Sequence, residues 1–392
     1  MSMEALKRER IQLFKDAIIG DKKPERIPIF SNMWSWKILD AGYKLSEALN
    51  DYEILKKSLR HFYENYPADI CHETGWRNPI QVTESMGNNA YIINDDQNSI
   101  SIKDQCYMKP EDYDALISNP KKFLWETFLP RKFKYLKGSD SSDALRVGIQ
   151  NYAKFGQFMG EVAQINEEFG IPDFFDPNGA ILHWANGFEI LFNMLRGIRG
   201  LSYDIRRNPD KVLAAIEAID EVFAKPIMER TKGTPKGTNM NCSVDINPVL
   251  LAHTILSPKQ FEKFYWPHFE KMIDYVTEED KIVYIFAEGD SERFYDFFRQ
   301  FPENRFALLV EQNDIFKMKK ELPNLTVSGG MPVDLLGKAT PKDCTDYAKK
   351  LIDELGYDGR YIFSEGKMIS FPNDATRENL KATYEFVRDY RG

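Results

Sequence analysis

The chain reads as an α/β protein, a (β/α)8 TIM barrel with a β-meander inserted after strand 2 and a helical excursion after strand 3. Three observations lead there. Short apolar runs alternate with longer segments of helical periodicity. Strands alternating with helices imply a parallel sheet. Eight such units within 392 residues fit the upper part of that fold's size range.

The strands fall at 26–31 (RIPIFS), 68–73 (ADICHE), 145–150 (LRVGIQ) and 238–244 (TNMNCSV). Four more follow in quick succession at 281–286 (KIVYIF), 305–310 (RFALLV), 325–328 (LTVS) and 360–363 (RYIF). Helical patterns at 258–276 and 341–354 each open with a proline suited to the first turn. Residues 80–105 alternate with period two between Gly, Asn and Asp turn residues, which predicts the antiparallel meander. Residues 152–236 lack a convincing strand and form the helical excursion, which contains the loop DPNGAILHWANG. Residues 1–25 are an N-terminal helical extension. No repeat or Gly/Ser linker divides the chain, so residues 1–392 are read as one domain.

Composition narrows the function classes. There are 52 Lys+Arg against 60 Asp+Glu, a formal net charge of −8, so no basic stripe is available to neutralise nucleic-acid phosphates. No stretch approaches the roughly 18–20 apolar residues of a membrane span. The opening residues are charged and carry no apolar signal core. The four cysteines (Cys71, Cys106, Cys242 and Cys344) are widely spaced with no CxxC, which points to a reducing cytoplasm. These features describe a soluble, enzyme-sized chain.

In such barrels the chemistry sits at the C-terminal ends of the strands. The residues expected there are Met33, Trp34 and Trp36 after the first strand, with His72 and Trp76 at the second. Asp245 follows the fourth, Glu288 the fifth, Glu311 the sixth, Met331 the seventh, and Glu365 with Lys367 the eighth. Glu288, Glu311, Glu365 and Lys367 are the candidate catalytic groups. Clustered carboxylates raise one another's pKa, bind a cation or do acid/base work, and Glu288 with Glu311 is the candidate metal pair. Met33, Trp34, Trp36, His72, Trp76, Asp245 and Met331 are the candidate substrate-binding groups, the indoles offering faces for a flat ligand. Each has a plainer alternative: helix caps and ion pairs for the acids, packing for the tryptophans, a salt bridge for Lys367 and a hydrogen-bonded core position for His72. The remaining histidines (His61, His183, His253 and His268) offer no HxxxH or HExxH spacing. Neither GxGxxG, GxxxxGK[ST] nor GxSxG occurs. Gly329-Gly330 marks either close backbone approach to a ligand or a tight strand–helix turn.

The order of pieces resembles the uroporphyrinogen decarboxylase superfamily, which holds decarboxylases and corrinoid-dependent methyltransferases. The resemblance rests on 10–28 (RIQLFKDAIIGDKKPERIP), 255–267 (ILSPKQFEKFYWP), 327–332 (VSGGMP) and 378–382 (ENLKA), and covers most of the chain. It implies the same barrel, often paired as a homodimer. Tetrapyrrole decarboxylases carry an Arg-rich motif soon after the first strand to hold propionate arms. Here that place reads NMWSWKILDAGYK, without arginine. Members that methylate coenzyme M hold zinc through an HxC after the fifth strand and a later Cys. Here those places read Phe286-Ala287-Glu288 and Lys367, so the expected zinc ligands are absent.

The branch left by this comparison is the O-demethylase type. Its members move a methyl group from a methoxylated aromatic or other small methylated compound to the cobalt of a corrinoid-binding partner protein. The resemblance thus implies a corrinoid (cobalamin) carried by a partner rather than by this chain. The alternatives are a methylcorrinoid:thiol or other acceptor methyltransferase, or a small-substrate decarboxylase.

Overall fold

A computed structural model describes residues 2–71, 79–103, 106–138, 141–175, 186–232 and 242–392. It is an α/β structure built on parallel strands. In chain order the strands are β1 (Phe30–Ser31), β2 (Ile70–Cys71), β3 (Tyr91–Asn94), β4 (Ser99–Ile102), β5 (Asp173–Phe175) and β6 (Cys242–Val244). They continue with β7 (Val249–Leu250), β8 (Val283–Ala287), β9 (Phe306–Val310), β10 (Thr326–Met331) and β11 (Tyr361–Glu365). A parallel five-stranded sheet runs β11-β10-β9-β8-β7, and β1–β2 and β5–β6 pair in parallel. Parallel bridges Ile29↔Phe363 and Met33↔Ile369 tie β1 to the β11 side, and Ile246↔Val283 ties the β6–β7 connection to β8. Among the described residues the one antiparallel pairing is the β3–β4 hairpin.

Period-two alternation gives these strands two apolar faces. On one, Phe30, Ile70, Phe174, Val244, Tyr284, Phe286, Leu309 and Ile362 pack with Phe14, Ala17 and Ile18 of the N-terminal helix Met3–Ile19. The Thr326 hydroxyl donates to the Ala17 carbonyl at 2.7 Å, which fastens that helix to the N-terminal edge of the sheet. On the other face Val283, Ile285, Phe306, Leu308, Val327 and Phe363 pack against the helices. Among these, Pro341–Leu355 and Arg377–Asp389 are capped by Thr340 and Thr376, whose side chains accept from Asp343 N and Asn379 N. No helix of the described residues is long and apolar enough to cross a membrane.

The last four strands lie where periodicity places them, and three earlier expectations are corrected. Residues 145–150 are no strand but lie inside the helix Ser141–Glu168. Its buried residues (Gly148, Phe158, Val162 and Ile165) recur at helical spacing, and this long-range period overrides the local run of Val147 and Ile149. The strand β5 sits within 152–236, where none was expected, because three residues are too few to show a period. The meander is partly helical: residues Ile80–Ser85 form a helix and only β3–β4 are extended.

Gly329 and Gly330 both have left-handed backbone, φ +104° and +93°. A Cβ on Gly329 would lie 2.8 Å from Leu309 Cδ1, so this bend at the end of β10 requires glycine. Gly329→Ala is expected to cost about 1–3 kcal/mol in urea unfolding. A variant as stable as the parent would show that β10 relaxes freely there.

Candidate functional site

The pairing register places polar residues from four strands at one level of the C-terminal edge. Ala287 pairs with Val310, so the next residues, Glu288 and Glu311, leave the sheet together. Leu309 pairs with Ser328, which carries Glu311 to the level of Gly330, and Gly330 pairs with Ser364. Alternation from Phe286, Leu309 and Ile362 puts Glu288, Glu311 and Ser364 on the face that also packs the N-terminal helix. Asn32, two residues beyond Phe30, follows the same parity.

Glu311 is half-buried, and its Oε2 accepts the Gly289 amide at 3.1 Å. Burial raises its pKa, an effect only partly offset by that amide and by the charge of Lys367. Lys367 itself pairs with Asp374 at 3.0 Å and lies 5.7 Å over the Phe371 ring, so it is salt-bridged while still close enough to act on Glu311. Asn32 Nδ2 and Ser364 Oγ are buried and have no hydrogen-bond partner among the described residues. Buried polar atoms left in this state are costly unless something else satisfies them.

The other expected residues are distributed differently. Glu365 is fully buried and turns to the helix side, where its carboxylate accepts from the Tyr384 hydroxyl and from Asn32 N at 2.9 Å. Burial raises its pKa too, but it stands apart from Glu288 and Glu311 because it alternates with Tyr361 and Phe363 on the opposite face. Beside it lies the fully buried Lys37, with Nζ 2.6 Å from Cys71 Sγ and 4.8 Å over the Phe62 ring. Met33, Trp36 and Met331 are core residues, and the Trp36 indole donates to the Ala375 carbonyl at 3.1 Å. Trp34 is half-buried against the cluster of Ile38, Leu45 and Leu49. His72 and Trp76, with most of the DPNGAILHWANG loop, lie outside the described residues.

Asp245 is at the wrong end of the sheet for a site residue. Its amide donates to the Ile282 carbonyl and its Oδ2 accepts the Ile282 amide at 2.9 Å, both ahead of β8. There it lines a cavity of about 480 Å³ at the N-terminal edge with Lys15, Asp280, Glu303 and Arg305. The reason is that the chain resumes as β7 after Asn247-Pro248, so the C-terminal edge falls at Leu250.

Behind that edge is an acid that sequence reading missed. Glu189 is buried, and accepts the Leu251 and Ala252 amides at 3.0 and 2.9 Å together with the Tyr265 hydroxyl. Burial drives its pKa up to about 7 against the pull of those bonds. His253, the residue after Ala252, is fully buried edge-on to Phe294, and burial with the neighbouring Arg293 charge lowers its pKa to about 4, keeping it neutral. Nothing local in the sequence marks Glu189, since its significance lies in being buried. Asn32 and Ser364 had one signal: each directly follows an expected strand.

Among the described residues no group of three His, Cys, Asp or Glu converges as a metal site. Glu288 and Glu311 bring two carboxylates from adjoining strands, short of the three or four ligands that zinc takes, so the described donors do not fit that ion.

No curated protein matches the chain. A solved structure of a methyltransferase from Methanosarcina mazei is similar over 97% of this chain and 98% of that one, with a TM-score of 0.59 and 14% sequence identity. At that identity the likeness is one of fold. The family model described as uroporphyrinogen decarboxylase (URO-D) matches residues 188–390, more than half of the 392 residues, and covers the segment that carries β6 to β11 and the Glu288–Glu311 edge. The chain belongs to the uroporphyrinogen decarboxylase family.

Proposed function

We propose that this protein is a methyltransferase that moves a methyl group from a small methylated compound, foremost a methoxylated aromatic, to the cobalt of a corrinoid carried by a separate protein. The reading includes closure of the parallel strands into a (β/α)8 barrel. In support, the rings of Phe30, Phe174 and Tyr284, from β1, β5 and β8, meet at 4.7–5.1 Å. It is further supported by the fold shared with the Methanosarcina mazei methyltransferase.

The observation that carries the reading is Glu311: a half-buried carboxyl with a raised pKa, level with Glu288 and within reach of the Lys367 charge. The reduced corrinoid of the partner supplies the nucleophile, so this chain need not provide one. Its task is the departing oxygen, which as a phenolate has a conjugate acid pKa of about 10. A carboxyl whose pKa burial raises holds its proton to higher pH than an ordinary carboxylic acid and can deliver it to that oxygen as the carbon–oxygen bond breaks. Asn32 Nδ2 and Ser364 Oγ offer hydrogen-bond donors to a substrate oxygen, and Lys367 favours developing negative charge. No step is assigned to a metal. The acid role falls to Glu311, with Glu288 beside it.

The test is an anaerobic single-turnover assay with a Co(I) corrinoid acceptor and a panel of methoxylated aromatics and methylamines. The visible spectrum should change from Co(I) to methyl-Co(III) with at least one aryl methyl ether. No change with any donor, given an acceptor shown to be competent, would reject the proposal.

A further inference from the structure

Lys37 and Cys71 make a contact that methyl transfer does not use. Lys37 lies in the helix Trp36–Asp40 that follows β1, and Cys71 is the last residue of β2. Ile70 packs toward the N-terminal helix, so alternation turns Cys71 to the opposite face, among the other helices. There the Lys37 side chain is fully buried, with its ammonium 4.8 Å over the Phe62 ring. Its charge reaches the Glu365 carboxylate, which Asn32 N and the Tyr384 hydroxyl hold in place. The Tyr63 hydroxyl, which donates to Asn166 Oδ1 at 2.8 Å, is hydrogen-bonded to Cys71 as well. Cys71 is only partly buried, so a small oxidant has access to the sulfur while the amine stays enclosed. Lys37 Nζ and Cys71 Sγ are 2.6 Å apart. Hydrogen bonds from nitrogen to oxygen span about 2.7–3.2 Å, and sulfur is the larger atom, so this pair is closer than a hydrogen bond requires. A single oxygen bonded to both, with bonds of about 1.4 and 1.7 Å at a roughly tetrahedral angle, holds nitrogen and sulfur at this separation.

We infer that Lys37 and Cys71 are a reversible modification site, at which peroxide joins them through a covalent nitrogen–oxygen–sulfur bridge. The thiol is oxidised first: hydrogen peroxide transfers one oxygen to the sulfur, giving the sulfenic acid and one water. The ammonium yields its extra proton to water, and a second peroxide takes two electrons as the nitrogen–oxygen bond forms. In that step the amine and the sulfenic acid each lose one hydrogen, which leave with the peroxide as two waters. Amine, thiol and two peroxides thus become the bridge and three waters. A dithiol reverses the change: four electrons from two dithiols return the amine, the thiol and one water. The adjoining amine competes with further oxidation of the sulfenic acid to the irreversible sulfinic acid, the usual fate of an accessible cysteine. The bridge joins residues 34 apart in the chain and ties the helix Trp36–Asp40 to β2, which restricts the unfolded chain as a disulfide does. This inference is independent of the methyl-transfer reading.

The test uses the full chain in a Cys106→Ser background, which removes the exposed native thiol. Folded protein is treated with hydrogen peroxide, quenched with catalase and measured by intact mass. The mass should rise by about 14 Da, one oxygen gained and two hydrogens lost, or by about 16 Da with oxygen-18 peroxide. After alkylation and digestion, Lys37 and Cys71 should appear in one linked pair of peptides, and a dithiol should release both. Lys37→Met, similar in length but without the amine, should give only oxygen added to Cys71, in steps of about 16 Da. The linked pair in the Cys106→Ser chain is read without that variant, so the test stands even where Lys37→Met folds poorly. Oxygen addition at Cys71 with Lys37 unlinked would overturn the inference. So would a loss of about 2 Da, the mark of a direct sulfur–nitrogen bond. A link formed equally well from the urea-unfolded chain would also overturn it, because the fold would then not direct the bridge.

Discussion

Glu311→Gln is expected to slow methyl transfer from an aryl methyl ether by about 10²–10⁴-fold, the usual contribution of one positioned acid. Binding of the ether should change little, because the amide keeps the shape and can still accept the Gly289 N–H. The pH dependence has a definite sign. Burial raises the Glu311 pKa, so its protonated, active form persists above the ordinary carboxylic range and is lost as pH rises through the raised value. The single-turnover rate should therefore be highest on the acid side and fall with rising pH, and the Gln variant should lose that limb. A quaternary methylammonium donor leaves as a neutral amine and needs no such proton, so its transfer should be nearly insensitive to the substitution. An unchanged rate with the ether would remove Glu311 from the mechanism and return the acid role to Glu288.

Asp69→Ala is expected to cost about 3–5 kcal/mol of folding stability, the penalty for leaving a buried charge without its partner. Asp69 is 2% exposed and takes both Arg26 Nη1 and Nη2 at 2.6 Å, as well as the Ile29 amide at 2.8 Å, with Arg10 Nε 3.5 Å away. Burial alone would lower the Arg26 pKa, but the carboxylate more than compensates and raises it. Arg10, farther from that carboxylate at 3.5 Å, remains below its usual value because its burial outweighs the attraction. This group joins the start of β1 to β2, so its loss should appear as a lower urea midpoint at nearly constant slope. Replacing both partners, as in Arg26→Met with Asp69→Leu, should recover part of the loss, because the Arg26 charge goes with its partner while Arg10 still loses the same carboxylate. A single substitution costing under about 1 kcal/mol would mean that water reaches Arg26 in the folded state.

The sequence by itself determined the elements whose pattern is long or regular. β8 to β11, the capped helices around them and the membership in an α/β family follow from apolar runs, proline-opened helices and short ordered motifs such as VSGGMP. It also supplied the right neighbourhood for Glu288, Glu311 and Lys367, because residues that directly follow a strand are set by chain order alone. Elements of two or three residues were not legible. β5 is held by its pairing with β6, and β7 by its pairing with β8, contacts with no local period. Asp245 went to the opposite edge for this reason: the strand pauses and resumes, and only pairing with β8 reveals where it ends.

Burial was likewise decided by tertiary structure. Met33, Trp36, Met331 and Glu365 have the chemistry of site residues, yet neighbouring elements enclose them. Asn32, Ser364 and Glu189 are unremarkable in sequence and gain their significance from what surrounds them. Side-chain parity at the end of a strand separates the two outcomes. One residue of shift turns a carboxylate from the Glu311 face to the Glu365 face, and only hydrogen bonds between distant segments set that register.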